Sequence, residues 1–350
     1  MGMALSLGRR GLGRVWPNPN VGCVVVKNGR VIGRGWTADT GRPHAETRAL
    51  EGVDAKGATV YVTLEPCAHH GQTPPCADRL IAAGVSRVVI AITDPDPRVS
   101  GRGVAMLQAA GITVEVGLRG GEARADMAGF LLRVTQNRPF VTLKLAASFD
   151  GRIGTATGES KWITGAQARR AVHAMRARHD AVLIGAGTVR ADDPTLTVRD
   201  LGITRQPVRV VASRLLDFQA TALLATQDIA PLWLCHGKAA AAKIWAEQGA
   251  TTITCNTNGR QIDPLDMMQN LAAHGLTRVF CEGGGSLAAS LLGAGLVDEV
   301  VGFSAGVMLG AEGMPSLGAM GIGRLAAAPR FELIETRAIG GDVMHRWGRL

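Results

Sequence analysis

The chain has 350 residues, 46% of them apolar and 19% charged, long enough to bury a sizeable core without staples and too apolar for disorder. Apolar runs such as 88–92 are far too short to span a bilayer, and residues 1–14 lack the apolar stretch of a secretory leader, so a cytoplasmic protein with no membrane partner is expected. Thirty-eight basic against twenty-nine acidic residues give a net charge of +9, carried by 32 Arg and only 6 Lys; this admits nucleic-acid binding, dispersed surface arginine, or pockets for anionic small molecules.

Residues 21–27 and 30–36 read as a hairpin turned at Asn28-Gly29. A helix at 45–50 and a strand at 59–64 follow, then a helix at 76–83 entered through Pro74-Pro75 and stopped by Gly84. The run 85–93 fits a strand buried on both faces. A helix ending at 106–110 precedes the strand 112–116. Gly120-Gly121 opens one helix over 122–136, and Asn137-Arg138-Pro139 breaks it. This alternation predicts a three-layer α/β unit over 1–137. A second series, 138–350, has strands at 140–146, 181–185, 208–211, 232–235 and 278–282, with helices at 166–178, 264–274 and from 286 onward. The basic excess is shared by the two halves, without a detachable basic tail.

The strongest chemical signal is His44-Ala45-Glu46 followed by Pro66-Cys67 and Cys76. One imidazole and two thiolates make three zinc ligands, leaving the fourth tetrahedral position for water, whose pKa zinc lowers towards neutrality. Glu46 stands two residues beyond His44 at a helix start, where it can face that water as a proton shuttle without ligating. Eight residues separate the cysteines where deaminases usually have two, and that insertion brings His69 and His70, further candidates for the metal or the substrate. The plainer alternative is a surface histidine with buried cysteines. Cys23, Cys235, Cys255 and Cys281 lie in or beside predicted strands and are read as core.

Pro17-Asn18-Pro19-Asn20-Val21-Gly22, His44-Ala45-Glu46 and the stretch Thr63-Leu64-Glu65-Pro66-Cys67-Ala68-His69-His70-Gly71 resemble the bifunctional deaminase–reductases of riboflavin biosynthesis. The long loop between the cysteines is that family's own pattern. The likeness continues through Leu143-Lys144-Leu145, Ser148-Phe149-Asp150-Gly151-Arg152, the segment 158–164 and Asp192-Asp193-Pro194. It implies a cytidine-deaminase-like domain over 1–137 and a dihydrofolate-reductase-like domain over 138–350. The first would hydrolyse the 2-amino group of a diaminopyrimidinone carrying a ribosylamino 5′-phosphate, with Asn20 helping to hold the ring. The second would use NADPH to reduce the ribosyl side chain to ribityl.

In the second half the residues alone show only glycine turns after strands, Gly185-Ala186-Gly187-Thr188 and Gly283-Gly284-Gly285-Ser286, either phosphate cradles or plain tight turns. The resemblance implies that Ala146, Trp162, Thr188, Asp192, Ser213, Gly284, Gly285, Ser286 and Leu287 line the NADPH site. It implies Lys144, Ser160, Arg176, Leu196, Arg199 and Glu282 at the substrate. Arg176 and Arg199 offer forks for a phosphate, although Arg169, Arg170 and Arg178 share the Arg176 helix, and Trp162 is equally suited to a core. Ala212 stands where the family's pattern has an aspartate before the serine. The partners expected are a small phosphorylated pyrimidine and further copies of the chain, with no nucleic acid. A nucleic-acid deaminase with an accessory domain is one competing reading, weakened by only fourteen aromatics. The other is a phosphoribosyl-binding protein with a structural zinc.

Overall fold

The computed structural model describes residues 1–68, 74–96 and 100–350, so His69 and His70 lie outside the described residues. The chain divides into two compact units, Met1–Asn137 and Arg138–Leu350.

The first unit is built on five strands: β1 (Gly22–Lys27), β2 (Arg30–Trp36), β3 (Thr59–Val62), β4 (Arg87–Ile90) and β5 (Thr113–Val116). Their order is β2-β1-β3-β4-β5, with β1 antiparallel to both neighbours and β3, β4 and β5 parallel. Asn28 and Gly29 both have positive φ (52° and 73°), which a tight hairpin turn requires. Helices α1 (Gly2–Gly8) and α2 (Ala45–Leu50) lie on opposite faces of β1. Val24 packs with Ala4 and Leu7, whereas Cys23 and Val25 pack with Ala45 and Ala49. Helices α3 (Cys76–Ala82) and α4 (Arg102–Ala109) complete the α2 side.

Close approach sets the position of α2. A Cβ on Gly33 would fall 2.0 Å from the Ala49 carbonyl oxygen, and one on Gly35 2.1 Å from that of Ala45. Two missing side chains on β2 therefore let the helix bearing Glu46 lie directly on the sheet. The single helix expected over 122–136 is in fact two, α5 (Gly120–Asp126) and α6 (Ala128–Gln136). Between them Met127 leaves helical geometry (φ −101°, ψ 11°) and enters the core. Burying that side chain outweighs the continuity of the helix.

Nine strands form the main sheet of the second unit, in the order β11-β10-β9-β8-β14-β6-β15-β18-β17. They are β6 (Phe140–Ser148), β8 (Ala181–Gly185), β9 (Val208–Ala212), β10 (Leu232–His236), β11 (Thr251–Thr254), β14 (Arg278–Cys281), β15 (Glu299–Ala305), β17 (Phe331–Ile339) and β18 (Asp342–Arg349). Between these in the chain come β7 (Arg152–Gly154) paired with β16 (Met314–Pro315), and the hairpin β12 (Thr257–Asn258) and β13 (Gln261–Ile262). The first seven strands of the sheet run parallel, and β18 alone runs against them, antiparallel to both β15 and β17. Its helices are α7 (Ala166–Arg176), α8 (Ala186–Asp192), α9 (Thr221–Leu224), α10 (Ala242–Glu247), α11 (Pro264–Ala273) and α12 (Gly285–Gly293). Strand β8 is fully buried from Ala181 to Ile184, as a two-sided parallel strand must be. Among the described residues, no helix is long and apolar enough to cross a membrane.

The segment after β3 is held by one buried carboxylate. Glu65 accepts hydrogen bonds from the amides of Asp94 (3.2 Å), Gly101 (3.1 Å), Gly103 (3.0 Å) and Val104 (3.2 Å). Glu65→Ala leaves those amides without their acceptor and should destabilise the first unit by about 3 kcal/mol, read from urea unfolding monitored by circular dichroism.

Two candidate functional sites

In the first unit, three ligands arrive from three different places. His44 is the residue immediately before α2, Cys67 follows β3 two residues past Glu65, and Cys76 is the first residue of α3. Their ligand atoms all lie within 4.8 Å of one another. His44 Nδ1 is 3.3 Å from the Cys76 sulfur and 3.7 Å from that of Cys67. A nitrogen and a sulfur sharing one tetrahedral zinc are about 3.6 Å apart, given bonds of about 2.0 and 2.3 Å. The donors therefore already have the spacing that the metal needs.

Charge follows the same logic. The Cys76 thiol hydrogen-bonds to the Cys67 sulfur and, with His44 and the Cys76 amide (3.3 Å), brings Cys67 down to about 4 despite partial burial. Cys76, giving that hydrogen bond and shielded from water, is pushed up. His44 is raised, chiefly by its hydrogen bond to Cys67. Glu46 is 4% exposed, and burial pushes it up to about 7, with His44 opposing and Cys67 reinforcing. It sits beside the three donors without belonging to their cluster, within hydrogen-bonding reach of the Cys76 thiol.

Asn20 is buried, and among the described residues its side-chain nitrogen has no hydrogen-bond partner. A buried amide donor without an acceptor is costly unless a ligand supplies one. The chain around it is fixed by two hydroxyls that the sequence reading passed over. Thr37 accepts from the Val21 amide (3.0 Å) and donates to the Pro19 carbonyl (2.9 Å), and Thr63 accepts from the Gly22 amide (3.0 Å). Cys23, Cys235, Cys255 and Cys281 are buried, and all six cysteines are free.

In the second unit, register brings the charged groups together. Cys281 pairs with Leu143 on β6, so Glu282 is delivered beside Lys144. Arg176, at the end of α7, grips Glu282 with Nε (2.5 Å) and Nη2 (3.1 Å) and donates from Nη1 to the Thr197 carbonyl (2.9 Å). Both side chains of the pair are nearly buried, so Arg176 is no ordinary surface arginine, and its fork faces Glu282 instead of standing free. Burial raises Glu282, but Arg176 and Lys144 outweigh it and the carboxylate is held below its usual range. Lys144 is lowered by burial and, among the described residues, has neither a salt bridge nor a hydrogen bond.

The remaining expected residues scatter. Leu196 has positive φ (57°) and sends its side chain into the core, leaving only its backbone for a ligand. Arg199 is exposed and donates from Nη1 to Thr195 (3.3 Å). Trp162 is 68% exposed with Arg169 over its ring, so it is not core. Ser160 and Ala146 are half-buried, and Asp192 is exposed at the end of α8. The Ser213 hydroxyl accepts from the Leu216 amide (3.0 Å).

Behind the two glycine turns lies a cavity of about 310 Å³ whose lining includes Gly185, Gly187, Ser213, Ser286 and Leu287. The Gly284 amide donates to Thr188 (3.0 Å), which ties the turns together. A Cβ on Gly283 would fall 2.8 Å from the Gly185 nitrogen, so the turns can meet only without a side chain there, whereas Gly187 faces open space. Backbone amides of glycine turns beside a cavity suit a phosphate group of a ligand. Ala146 and Trp162 are not part of its lining.

Residues 139–345 match the RibD C-terminal domain, and residues 1–92 match the cytidine and deoxycytidylate deaminase zinc-binding region. The riboflavin biosynthesis protein RibD of Escherichia coli K12 is 43% identical, covering 98% of this chain and 96% of that protein. RibD of Aquifex aeolicus is 39% identical with the same coverages. Among solved structures, Acinetobacter baumannii RibD (form 1) superposes with a TM-score of 0.90 at 38% identity, covering 100% of this chain and 97% of that one. A Thermotoga maritima diaminohydroxyphosphoribosylaminopyrimidine deaminase/5-amino-6-(5-phosphoribosylamino)uracil reductase does so at 0.87 and 35% identity, with the same coverages.

Cys76→Ser should abolish stoichiometric zinc, measured by atomic absorption on dialysed protein, and leave NADPH binding unchanged. A second outcome concerns acid. His179, just past α7, donates from Nδ1 to the Met175 carbonyl (2.7 Å) and accepts at Nε2 from Thr142 on β6 (2.9 Å). Burial, reinforced by Arg278, pushes it down to about 3. The unfolded chain then binds a proton that the folded one refuses, so stability present above pH about 6.5 falls as pH drops through the window toward 3, by at most about 1.4 kcal/mol per pH unit. Urea unfolding of His179→Gln at pH 7, 6 and 5 should show a shallower decline.

Proposed function

The chain belongs to the RibD family, and from that premise we propose that its two units divide the family's two reactions in chain order, zinc-dependent deamination within 1–137 and NADPH-dependent reduction within 138–350. It is a bifunctional riboflavin-pathway enzyme with a cytidine-deaminase-like and a dihydrofolate-reductase-like domain. The competing readings, a nucleic-acid deaminase and a binding protein with structural zinc, are not favoured when both halves of the chain match the family. The substrate is a diaminopyrimidinone bearing a ribosylamino 5′-phosphate.

One observation carries the first reaction: three soft donors at tetrahedral spacing with a buried carboxylate beside them that is not in their cluster. Zinc held by His44, Cys67 and Cys76 supplies the Lewis acidity that makes water nucleophilic near neutral pH. Glu46 takes the proton released by the attacking water and passes it to the departing amino nitrogen, a role for which burial has matched its affinity. Asn20 offers its unpartnered amide to the ring.

For the second reaction, bound NADPH supplies the reducing equivalents. Lys144, unpaired and partly stripped of water, donates a proton or hydrogen bond to the sugar oxygen. Glu282, kept ionised by Arg176, orients the neighbouring hydroxyl, and Arg199 on the open loop takes the 5′-phosphate. Six free cysteines suit the reducing cytoplasm. Exposed Leu333, Ile334 and Val343 on the β17–β18 hairpin support a homo-oligomer.

Incubation with the diaminopyrimidinone phosphate, with and without NADPH, followed by product identification, tests the assignment. Ammonia should appear without NADPH and the ribityl product only with it. Glu46→Gln should lower deamination a hundredfold or more while retaining zinc and reducing the deaminated intermediate at the wild-type rate.

A further inference from the structure

Strand β2 is the edge of the first sheet, and it ends at Trp36. Beside that end lies a cavity of about 750 Å³ whose lining includes Arg10, Arg14, Trp36, Asp39 and Arg48. No zinc donor lines it, and neither do Glu46 and Asn20. The arginines come from both layers of the unit. Arg10 follows α1 and Arg48 stands on α2, and these helices lie on opposite faces of the sheet. They meet past the open edge, where no further strand separates them.

Both guanidiniums lie over the indole of Trp36, 4.9 Å from its ring centre for Arg10 and 4.1 Å for Arg48. Arg48 is held further by a hydrogen bond from Nη1 to the Trp36 carbonyl (3.2 Å). The ring is itself fixed, packed against Ala4, Leu7 and Val24. Charge in the cavity is unbalanced. Its carboxylate, Asp39, pairs with Arg14 (2.7 Å), which occupies both groups. Among the described residues, Arg10 makes no salt bridge or hydrogen bond, and Arg48 has no acidic partner. Two like charges thus converge on one ring without a counter-ion, in a recess where water screens them less than on an open surface. An anion there offsets the repulsion, and a tetrahedral phosphate can accept from both forks at once. The indole already carries the two guanidiniums, which take the place a stacking base would need. A compact phosphate therefore suits the recess better than a nucleic-acid strand.

We propose that Arg10 and Arg48, positioned by Trp36, form a phosphate-binding site on the first unit, outside the zinc site, for a small phosphate ester or the free ion. The test is a tryptophan-fluorescence titration of the zinc-loaded full-length protein with inorganic phosphate, ribose 5-phosphate and neutral ribose. Both phosphates should give a saturable change that ribose does not, and Trp36→Phe should remove it. Arg10→Gln and Arg48→Gln should each weaken binding by about tenfold to a hundredfold. Tighter binding of ribose 5-phosphate than of inorganic phosphate assigns the site to a sugar phosphate, and equal binding assigns it to the ion. Stoichiometric zinc shows that a variant is folded, and Arg10→Gln, at an exposed side chain without a hydrogen bond, keeps the test open if Arg48→Gln misfolds. Wild-type affinity in the folded double variant would overturn the site. The KM for deamination should be unchanged in both single variants. A rise in KM matching the loss of phosphate affinity would show instead that the cavity belongs to the zinc site.

Discussion

A carboxylate removed from water must recover its lost hydration from the protein, and three of them organise this chain. Glu65 collects four amides and fixes the segment that carries Cys67. Asp180, at the entrance to β8, accepts from the amides of Thr277 (2.6 Å) and Arg278 (2.8 Å) at the entrance to β14. Asp298, just before β15, accepts from the Val141 amide of β6 (2.8 Å) and pairs with Arg138. Neighbouring parallel strands of the second sheet are thus pinned at their amino ends. At their carboxyl ends β8 leads into the Gly185 turn and β14, past Glu282, into the Gly283–Gly285 turn, backbone that suits a ligand as open α/β sheets generally arrange.

The two sites use desolvation in opposite ways. In the first, burial holds Glu46 near neutrality so that it can both take and release a proton. In the second, burial alone would neutralise Glu282, and Arg176 prevents it. A buried pair of this kind adds little net stability but fixes geometry, because either partner left alone is strongly disfavoured. Lys144, beside it, has neither a salt bridge nor a hydrogen bond among the described residues and keeps its donors for a ligand.

Legibility in the sequence tracked the range of the interactions. The central strands were readable because two-sided burial demands continuous β-branched runs, and the hairpin at Asn28-Gly29 because positive φ selects those residues. Helix α1 and strands β15, β17 and β18 were not assigned; β17 is mostly exposed and lacks a clean alternation. Arg176 was indistinguishable from Arg169, Arg170 and Arg178, because its partner stands 106 residues away. His179 and Glu65 are similar cases, tied to Thr142 and to the 101–104 segment.

The sequence by itself pointed to the ligand set and the shuttle candidate, since His44, Glu46, Cys67 and Cys76 form a pattern dictated by zinc chemistry wherever it is folded, and the second reaction entered only through the family resemblance. Only the tertiary structure decided that Arg176 is spent on Glu282, that Leu196 is core, that Asn20 has no partner for its amide among the described residues, and that Arg214 and Arg260 share a cavity. The reason is physical: a metal's demands are written in residue types and spacing. The worth of an arginine or an amide depends on which groups remain for it after the chain has closed around it.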